Sequence, residues 1–284
     1  MRNRVGTARW LLLMALLPFS AQAQVIGVLE DPQCSENHRR VVRPLFVTNA
    51  GAWRPIRETD WATTLPVQWM VPGASPAQAI RVSPPNPSIR SSSNKQRDFV
   101  LSPIDVTLLP ASTKAYGHYR GWCDAPKNSP LVVVSGTHPV RRLAAQADRP
   151  VSSLSIEKAF LRSMPNQKIC RGDDSSRAAV FRRDDLVVNQ ALMMPGGKRL
   201  ASVSLRSAFS ECGSEARGVS MPRWFVRDRT PRFIGDSLTY VASVDADGDG
   251  KPEHLFWFSG YNEDGYLLFN SEFDPPTRFT WKYH

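Results

Sequence analysis

Residues 243–258 read SVDADGDGKPEHLFWF, and this stretch decides how the fold of the chain is interpreted. Asp245, Asp247 and Asp249 alternate with small residues, and Glu253 follows four positions after the last of them. Alternate residues of a tight loop can direct their oxygens at one centre, which is the arrangement that Ca²⁺ requires. The residues on both sides of the loop are apolar, β-branched and aromatic. The pattern therefore predicts a strand, an acidic loop and a second strand.

The spacing within this loop is not that of an EF-hand. If Asp245 is position 1, an EF-hand requires a bidentate acid at position 12, where this chain has Phe256, and it requires helices on both sides. Gly250 permits the sharp turn, and Lys251 can contribute only its backbone carbonyl. Glu253 supplies the late carboxylate three positions early. We therefore expect a calcium site between two strands.

The motif D-x-D-G-D-G-x-x-[D/E] between apolar strands resembles the calcium loops of FG-GAP, or VCBS-type, repeats of integrin-like β-propellers. The resemblance covers about residues 237–260 and also extends to exported bacterial proteins of uncharacterised activity that carry one C-terminal loop. It implies one Ca²⁺ ion with the ligands Asp245, Asp247, Asp249, the backbone carbonyl of Lys251, and Glu253. The chain departs from the family in having Glu where Asp is usual at position 9, and a single loop instead of a repeated one.

The alternative is a polar turn that binds no metal. Four carboxylates within nine residues repel one another in the absence of a cation, so a metal-free loop would be destabilised. We expect the ion to be structural, because the loop joins two strands of the predicted core and its oxygens leave little room for a substrate. His254 alternates with Glu253 along the strand and is expected to face away from the ion.

Residues 1–23 have the order of an export signal. A basic region precedes the apolar run WLLLMALLPF at 10–19, and the A-x-A cleavage pattern AQA follows at 21–23. The mature domain is expected to span 24–284, to begin at Gln24 and to be periplasmic or secreted. No later segment is long and apolar enough to predict a membrane span.

Cysteine number and charge restrict the class of protein further. Four cysteines in an exported chain predict disulfides, and we favour Cys34–Cys123 with Cys170–Cys212 among the three possible pairings. The 284-residue chain has a formal charge of +10, which becomes +7 without the three arginines of residues 1–23. The basic residues are dispersed and form no run with interleaved aromatics, so nucleic-acid binding is not expected.

The rest of the chain predicts a mainly β fold. We expect antiparallel hairpins in a propeller-like or sandwich arrangement, with one or two short helices. Residues 183–205 predict two strands around a Pro-Gly-Gly turn, and 223–235 a second hairpin. Residues 155–165 predict a helix that Ser155 caps and Pro165 ends. The Pro- and Ser-rich stretch at about 75–98 predicts an exposed loop, and Asp264-Gly265 predicts a hairpin turn.

No known catalytic motif is present. Ser135 follows a strand and His138 lies three residues on, but we expect a strand running into a polar turn here, not a catalytic pair. Aromatic residues crowd the last thirty positions, and their spacing favours a core role over a sugar-binding surface. The sequence favours an exported calcium-binding protein with a structural or interaction role, whose partner is an unknown protein or polysaccharide of the cell envelope. The alternatives are an envelope hydrolase with an unrecognised site and a binder of polysaccharide or another anionic polymer.

Overall fold

The computed structural model describes part of the chain in detail. The described residues are 24–30, 41–49, 51–57, 60, 68–73, 78–81, 131–136, 140–148, 154–164, 169–171, 174–178, 183–206, 209–211, 221–227, 230–260 and 263–282. Everything stated below about structure concerns these ranges.

The strands of the described ranges form three large antiparallel sheets and one small sheet. Sheet A contains β1 Val25–Glu30, β2 Val41–Asn49, β3 Ala52–Pro55, β4 Gln68–Val71, β5 Gln78–Arg81 and β6 Leu131–Ser135. Sheet B contains β8 Gln146–Ala147, β11 Leu186–Met193, β12 Arg199–Leu205, β14 Arg223–Arg227 and β15 Pro231–Asp236. Sheet C contains β7 Arg141–Leu143, β16 Leu238–Asp245, β17 Glu253–Ser259, β18 Glu263–Phe269 and β19 Thr277–Lys282. The small sheet contains β9 Ile169–Arg171, β10 Asp174–Ala178 and β13 Phe209–Glu211.

The order of the strands shows which hairpins lie at the centre. Sheet A runs β3-β2-β1-β6-β4-β5, sheet B runs β15-β14-β12-β11-β8, and sheet C runs β19-β18-β17-β16-β7. The short strands β7 and β8 follow one another in the chain but join different sheets as edge strands. The hairpin β16–β17, which carries the acidic loop, is therefore internal to sheet C.

Sheet C lies between the other two large sheets. Alternate residues of β17 point to opposite faces, as a strand requires. Leu255 and Trp257 belong to the cluster shared with sheet A, whereas Phe256 belongs to the cluster shared with sheet B. A bulge in β16 between Tyr240 and Ala242 shifts the register of its pairing with β17. The mainly β fold of antiparallel hairpins is confirmed. Of the two predicted arrangements, propeller-like and sandwich, the stacked sheets fit the sandwich.

The predicted helix and the two predicted hairpins are confirmed. Helix α1 spans Leu154–Arg162, so Ser155 lies inside its first turn and does not cap it. Ile156, Ala159 and Phe160 are buried against the face of sheet B that is turned away from sheet C. Strands β11 and β12 pair around the predicted Pro-Gly-Gly turn, and β14 pairs with β15.

The predicted hairpin turn at Asp264-Gly265 is wrong, because both residues lie inside β18. Gly265 pairs with Phe258 on one side and with Thr280 on the other. A Cβ atom at this position would overlap the carbonyl oxygen of Phe279 and lie 2.6 Å from Thr280 Cα. The close approach of β19, and not a turn, accounts for this glycine.

Gly265→Ala is expected to destabilise the protein by about 1–3 kcal/mol, because the added methyl group forces β18 and β19 apart. Urea unfolding followed by circular dichroism measures the change. Gly51→Asn is the control: Gly51 has φ of +79°, and a Cβ atom at this position would have nothing within 4 Å. Asn tolerates that backbone conformation. Equal effects of the two substitutions would contradict the β18–β19 contact.

Several expectations from the sequence fall partly or wholly outside the described residues. Within 75–98, predicted as a loop, residues 78–81 form β5, since Ile80 pairs with Trp69 of β4. The remainder of this stretch lies outside the described ranges, as do the export signal at 1–23 and His138. Of the helices in the described ranges, none has the length and apolar character that crossing a membrane demands.

Cys170 is the one cysteine within the described residues. It is fully buried on β9 and is disulfide-bonded. Cys34, Cys123 and Cys212 lie outside the described ranges, so the pairing stays a prediction.

Candidate metal centre

The acidic loop connects two paired strands in the interior of sheet C. Strand β16 ends at Asp245 and β17 begins at Glu253, and Val244 is the register partner of Glu253. On its other side Asp245 faces Arg141 of the edge strand β7. The position and direction of the loop are therefore set by a continuous antiparallel ladder.

The three aspartates of the loop converge. One carboxylate oxygen from each of Asp245, Asp247 and Asp249 lies within 4.8 Å of the others. Asp245 and Asp247 are half-buried, whereas Asp249 is exposed. The alternating spacing thus produces the predicted juxtaposition of carboxylates.

Backbone amides of the loop hold these carboxylates in place. Gly250 N donates to Asp245 Oδ1 at 3.3 Å, Asp249 N donates to Asp247 Oδ1 at 3.2 Å, and Lys251 N donates to Asp249 Oδ1 at 2.7 Å. Gly250 has φ of +84°, which requires the conformational freedom of glycine. The contacts of Asp247 and Asp249 are Asx-type turns, in which a side chain substitutes for the backbone acceptor, whereas the contact of Asp245 spans the loop.

The convergence brings like charges close together. Partial burial raises the pKa of Asp247, and the like charges of Asp249 and Asp245 raise it further, against the effect of the backbone hydrogen bonds. The raised pKa of Asp247 is the electrostatic condition that a bound cation relieves.

Glu253 lies beneath the loop and outside the group of three aspartates. Its side chain is buried, and Glu253 Oε2 accepts a hydrogen bond from Ala246 N at 2.9 Å. Burial raises the pKa of Glu253 to about 7, and the charges of Asp247 and Asp249 add to the effect. Glu253 therefore joins the two ends of the loop. Lys251, the remaining predicted ligand, is exposed in the loop.

His254 points to the opposite face of sheet C, as its alternation with Glu253 predicts. Its Nδ1 lies 2.7 Å from Ser243 Oγ, which in turn lies 2.9 Å from the hydroxyl of Tyr240. The imidazole stacks on Phe273 with ring centroids 4.4 Å apart. Burial lowers the pKa of His254 to about 3, so the ring is neutral. This chain of polar groups is buried in the core.

The other sequence candidates have structural roles where they are described. Ser135 Oγ accepts a hydrogen bond from Val25 N at 2.7 Å and so joins β6 to β1. Trp257, Tyr266, Phe269 and Phe273 are buried. The described aromatic residues near the C-terminus therefore contribute mainly to the core, as their spacing predicts.

Asp264 is a buried acid that the sequence does not reveal. It is fully buried in β18, on the face that Tyr266 and Leu268 turn toward sheet A. Neither carboxyl oxygen forms a hydrogen bond of good geometry within the described part of the chain. Burial raises the pKa of Asp264 to about 7, partly offset by the hydroxyl of Ser259 on the paired strand. Because an acid next to a glycine is typical of a turn, the sequence does not predict that Asp264 is buried in a strand.

Comparison of the chain with protein-family models, with curated proteins and with solved structures found no match.

Proposed function

We propose that this protein binds one Ca²⁺ ion at the loop 245–253 and that the ion has a structural role. The observation that carries the proposal is the convergence of Asp245, Asp247 and Asp249 within 4.8 Å at the end of a central strand. The resemblance to FG-GAP loops supports the same ligand set, with the backbone carbonyl of Lys251 and the second oxygen of Glu253 completing it.

The chemistry of the donor set favours calcium. Carboxylate and carbonyl oxygens are hard ligands, and Ca²⁺ accepts six to eight of them in a flexible geometry. No histidine or cysteine belongs to the group of potential ligands in the described residues. A site made of oxygens alone on a surface loop is therefore suited to calcium.

The position of the loop supports a structural role for the ion. The loop joins β16 and β17, which pack against sheet A through one face and sheet B through the other. Neutralising the loop would stabilise the hairpin on which both interfaces depend. A single ion would thus increase the stability of the whole layered fold.

Calcium is expected to raise the melting temperature of the wild-type protein and to have little effect on Asp247→Asn. A ligand that binds only the folded state contributes about 2.7 kcal/mol at a hundredfold excess over its Kd. Because extracellular calcium modules are often as weak as roughly 10⁻⁴–10⁻³ M, the ion is supplied at about 10 mM, a hundredfold excess over the lower of these values. Thermal unfolding in calcium and in chelator, with titration calorimetry, measures both effects.

The two conditions should affect the variant in opposite directions. In chelator, Asp247→Asn should be at least as stable as wild type, because it removes one of three converging charges; in calcium it should be the less stable protein. Asp184→Asn makes the same charge change on an exposed residue outside the loop, and it should respond to calcium as wild type does. If wild type unfolds identically in both conditions and calorimetry detects no binding, the loop is a polar turn and the proposal fails.

We further propose that the protein is exported to the periplasm or beyond, with cleavage after Ala23, and acts there as a structural or interaction module. The basic, apolar and A-x-A regions of residues 1–23 support export. The mature charge of +7 suits an anionic partner of the envelope. The burial of the described C-terminal aromatics does not favour a sugar-binding platform.

A further inference from the structure

The side chain of Glu253 points out of sheet C toward sheet A. Glu253 is the first residue of β17, and alternation along the strand places it on the same face as Leu255 and Trp257, which belong to the cluster shared with sheet A. Its side chain is buried, and Oε2 accepts a hydrogen bond from Ala246 N at 2.9 Å. One of the proposed calcium ligands thus faces a sheet other than the one that carries the loop.

Trp53 is the residue of sheet A that meets this carboxylate. It is half-buried on the edge strand β3 and packs against the cluster that contains Val244, at the end of β16, and Ala246, in the loop. Its carbonyl oxygen accepts a hydrogen bond from Thr277 Oγ1 of β19 at 3.2 Å. Trp53 is therefore held between sheets A and C by its backbone as well as by its ring.

The indole nitrogen of Trp53 is a buried donor close to an acceptor. Nε1 is buried and forms no hydrogen bond of good geometry within the described part of the chain. Burial raises the pKa of Glu253, and the indole N–H of Trp53 opposes this rise, as a donor near a carboxylate does. A buried N–H without a full hydrogen bond costs free energy, and a carboxylate is a strong acceptor that removes this cost.

We propose that Trp53 is a positioning residue for the calcium ligand Glu253, and that its indole N–H donates to the carboxylate and fixes its orientation. The proposal rests on the calcium site proposed above and extends that site from the loop to a second sheet. Carboxylates that bind a metal are themselves held by hydrogen bonds from neighbouring groups, which orient them for the ion. Trp53 supplies such a donor from a strand that is far from the loop in the chain.

Two donors on different elements then orient the carboxylate. Ala246 N belongs to the loop itself, whereas the indole of Trp53 belongs to the opposing sheet. A ligand group that is held from two sides has less freedom to lose when the ion binds, which favours binding. The same contact links the ion to the packing of sheet A on sheet C, since the ring of Trp53 packs in that interface.

The first test is the calcium affinity of Trp53→Phe, which keeps an aromatic ring and removes the N–H donor. Titration calorimetry of the folded variant is expected to give a dissociation constant about tenfold higher than that of wild type, the lower end of the range for a group that orients a metal ligand. Thermal unfolding in chelator measures separately how much stability the variant loses without the ion.

Trp69→Phe is the matched control. Trp69 also lies on sheet A, and its Nε1 is likewise buried without a hydrogen bond of good geometry in the described residues. It belongs to a different cluster, on the face of sheet A that is turned away from sheet C. Because Trp69 is fully buried and Trp53 only half-buried, a loss of packing alone would affect Trp69→Phe more. The calcium affinity of Trp69→Phe is expected to equal that of wild type.

The second test uses the wild-type protein and so does not depend on the folding of any variant. The NMR signal of the Trp53 indole N–H, assigned by through-bond experiments, is expected to move downfield when calcium replaces chelator. The indole signal of Trp69 is expected to stay in place. A hydrogen bond to a carboxylate produces such a shift, whereas a role of Trp53 in packing alone predicts none.

The outcomes separate this proposal from the calcium site itself. An unchanged affinity in Trp53→Phe, an equal loss of affinity in Trp69→Phe, or an unshifted Trp53 signal in calcium-loaded wild type would overturn the role of Trp53 and leave the calcium site intact. A wild-type protein that binds no calcium would overturn both proposals.

Discussion

Phe256→Ala is expected to destabilise the protein by about 3–5 kcal/mol, the range typical of a phenylalanine removed from a packed core. Phe256 is fully buried in β17 between sheets B and C. Its ring makes edge contacts with Trp224, Tyr240 and Phe269 at centroid distances of 5.4–5.5 Å. The substitution removes all three contacts and leaves a cavity at the centre of the fold. Urea unfolding measures the change in the free energy of unfolding.

Phe233→Ala is the matched control for this experiment. Phe233 lies on the edge strand β15, is 38% exposed, and contacts Phe225 at 5.7 Å. Its removal should cost about 1 kcal/mol, the size of a single aromatic pair. Phe256→Leu, which retains most of the volume, provides a measurable variant if the alanine variant does not fold. Similar costs for Phe256→Ala and Phe233→Ala would contradict the stacking of sheets B and C.

The second large effect is a dependence of stability on pH through Asp264. The pKa of this acid rises from an ordinary 3.8 to about 7 in the folded protein. The folded state therefore binds a proton more tightly than the unfolded state does. Its contribution to stability is complete below pH 3.8 and is lost as the pH rises through 7. Since a tenfold change in a dissociation constant corresponds to about 1.4 kcal/mol, the loss amounts to about 4 kcal/mol.

Asp264→Asn removes this titration and retains the shape of the side chain. The stability of the variant relative to wild type is expected to increase by about 4 kcal/mol between pH 4 and pH 8, measured by urea unfolding in chelator. The free energy of unfolding of wild type is subtracted from that of the variant at each pH, because other groups titrate in both proteins. Glu253 has a similarly raised pKa, and the lowered pKa of His254 costs stability as the pH falls below its ordinary 6.5. A difference that is constant with pH would show that folding does not change the pKa of Asp264.

These two positions are buried for different reasons. Phe256 lies in the continuous apolar run 255–258, and its burial follows from that run. Asp264 is an acid beside a glycine, a pair that predicts a turn. It is buried because it lies inside β18, on the face that packs toward sheet A. The packing of one sheet on another joins segments that are distant in the chain and leaves no local pattern.

The candidate metal centre divides in a similar way. The convergence of Asp245, Asp247 and Asp249 follows from their alternation with the small residues of the loop, so the sequence predicted it. The placement of Glu253 did not follow from spacing. As the first residue of β17 it is turned inward, and its Oε2 accepts from Ala246 N because the ladder places the two ends of the loop side by side.

By itself the sequence determined the elements: the acidic loop between two strands, the hairpins at 183–205 and 223–235, the helix, and the mainly β class. These depend on period-two or helical alternation and on turn residues, which act over a few positions. Only the tertiary structure decided that sheet C lies between sheets A and B, that β7 and β8 enter different sheets, and that Asp264 is buried. These depend on which surfaces meet, and hydrophobic burial is non-directional, so local alternation shows that a face is buried without showing which sheet covers it.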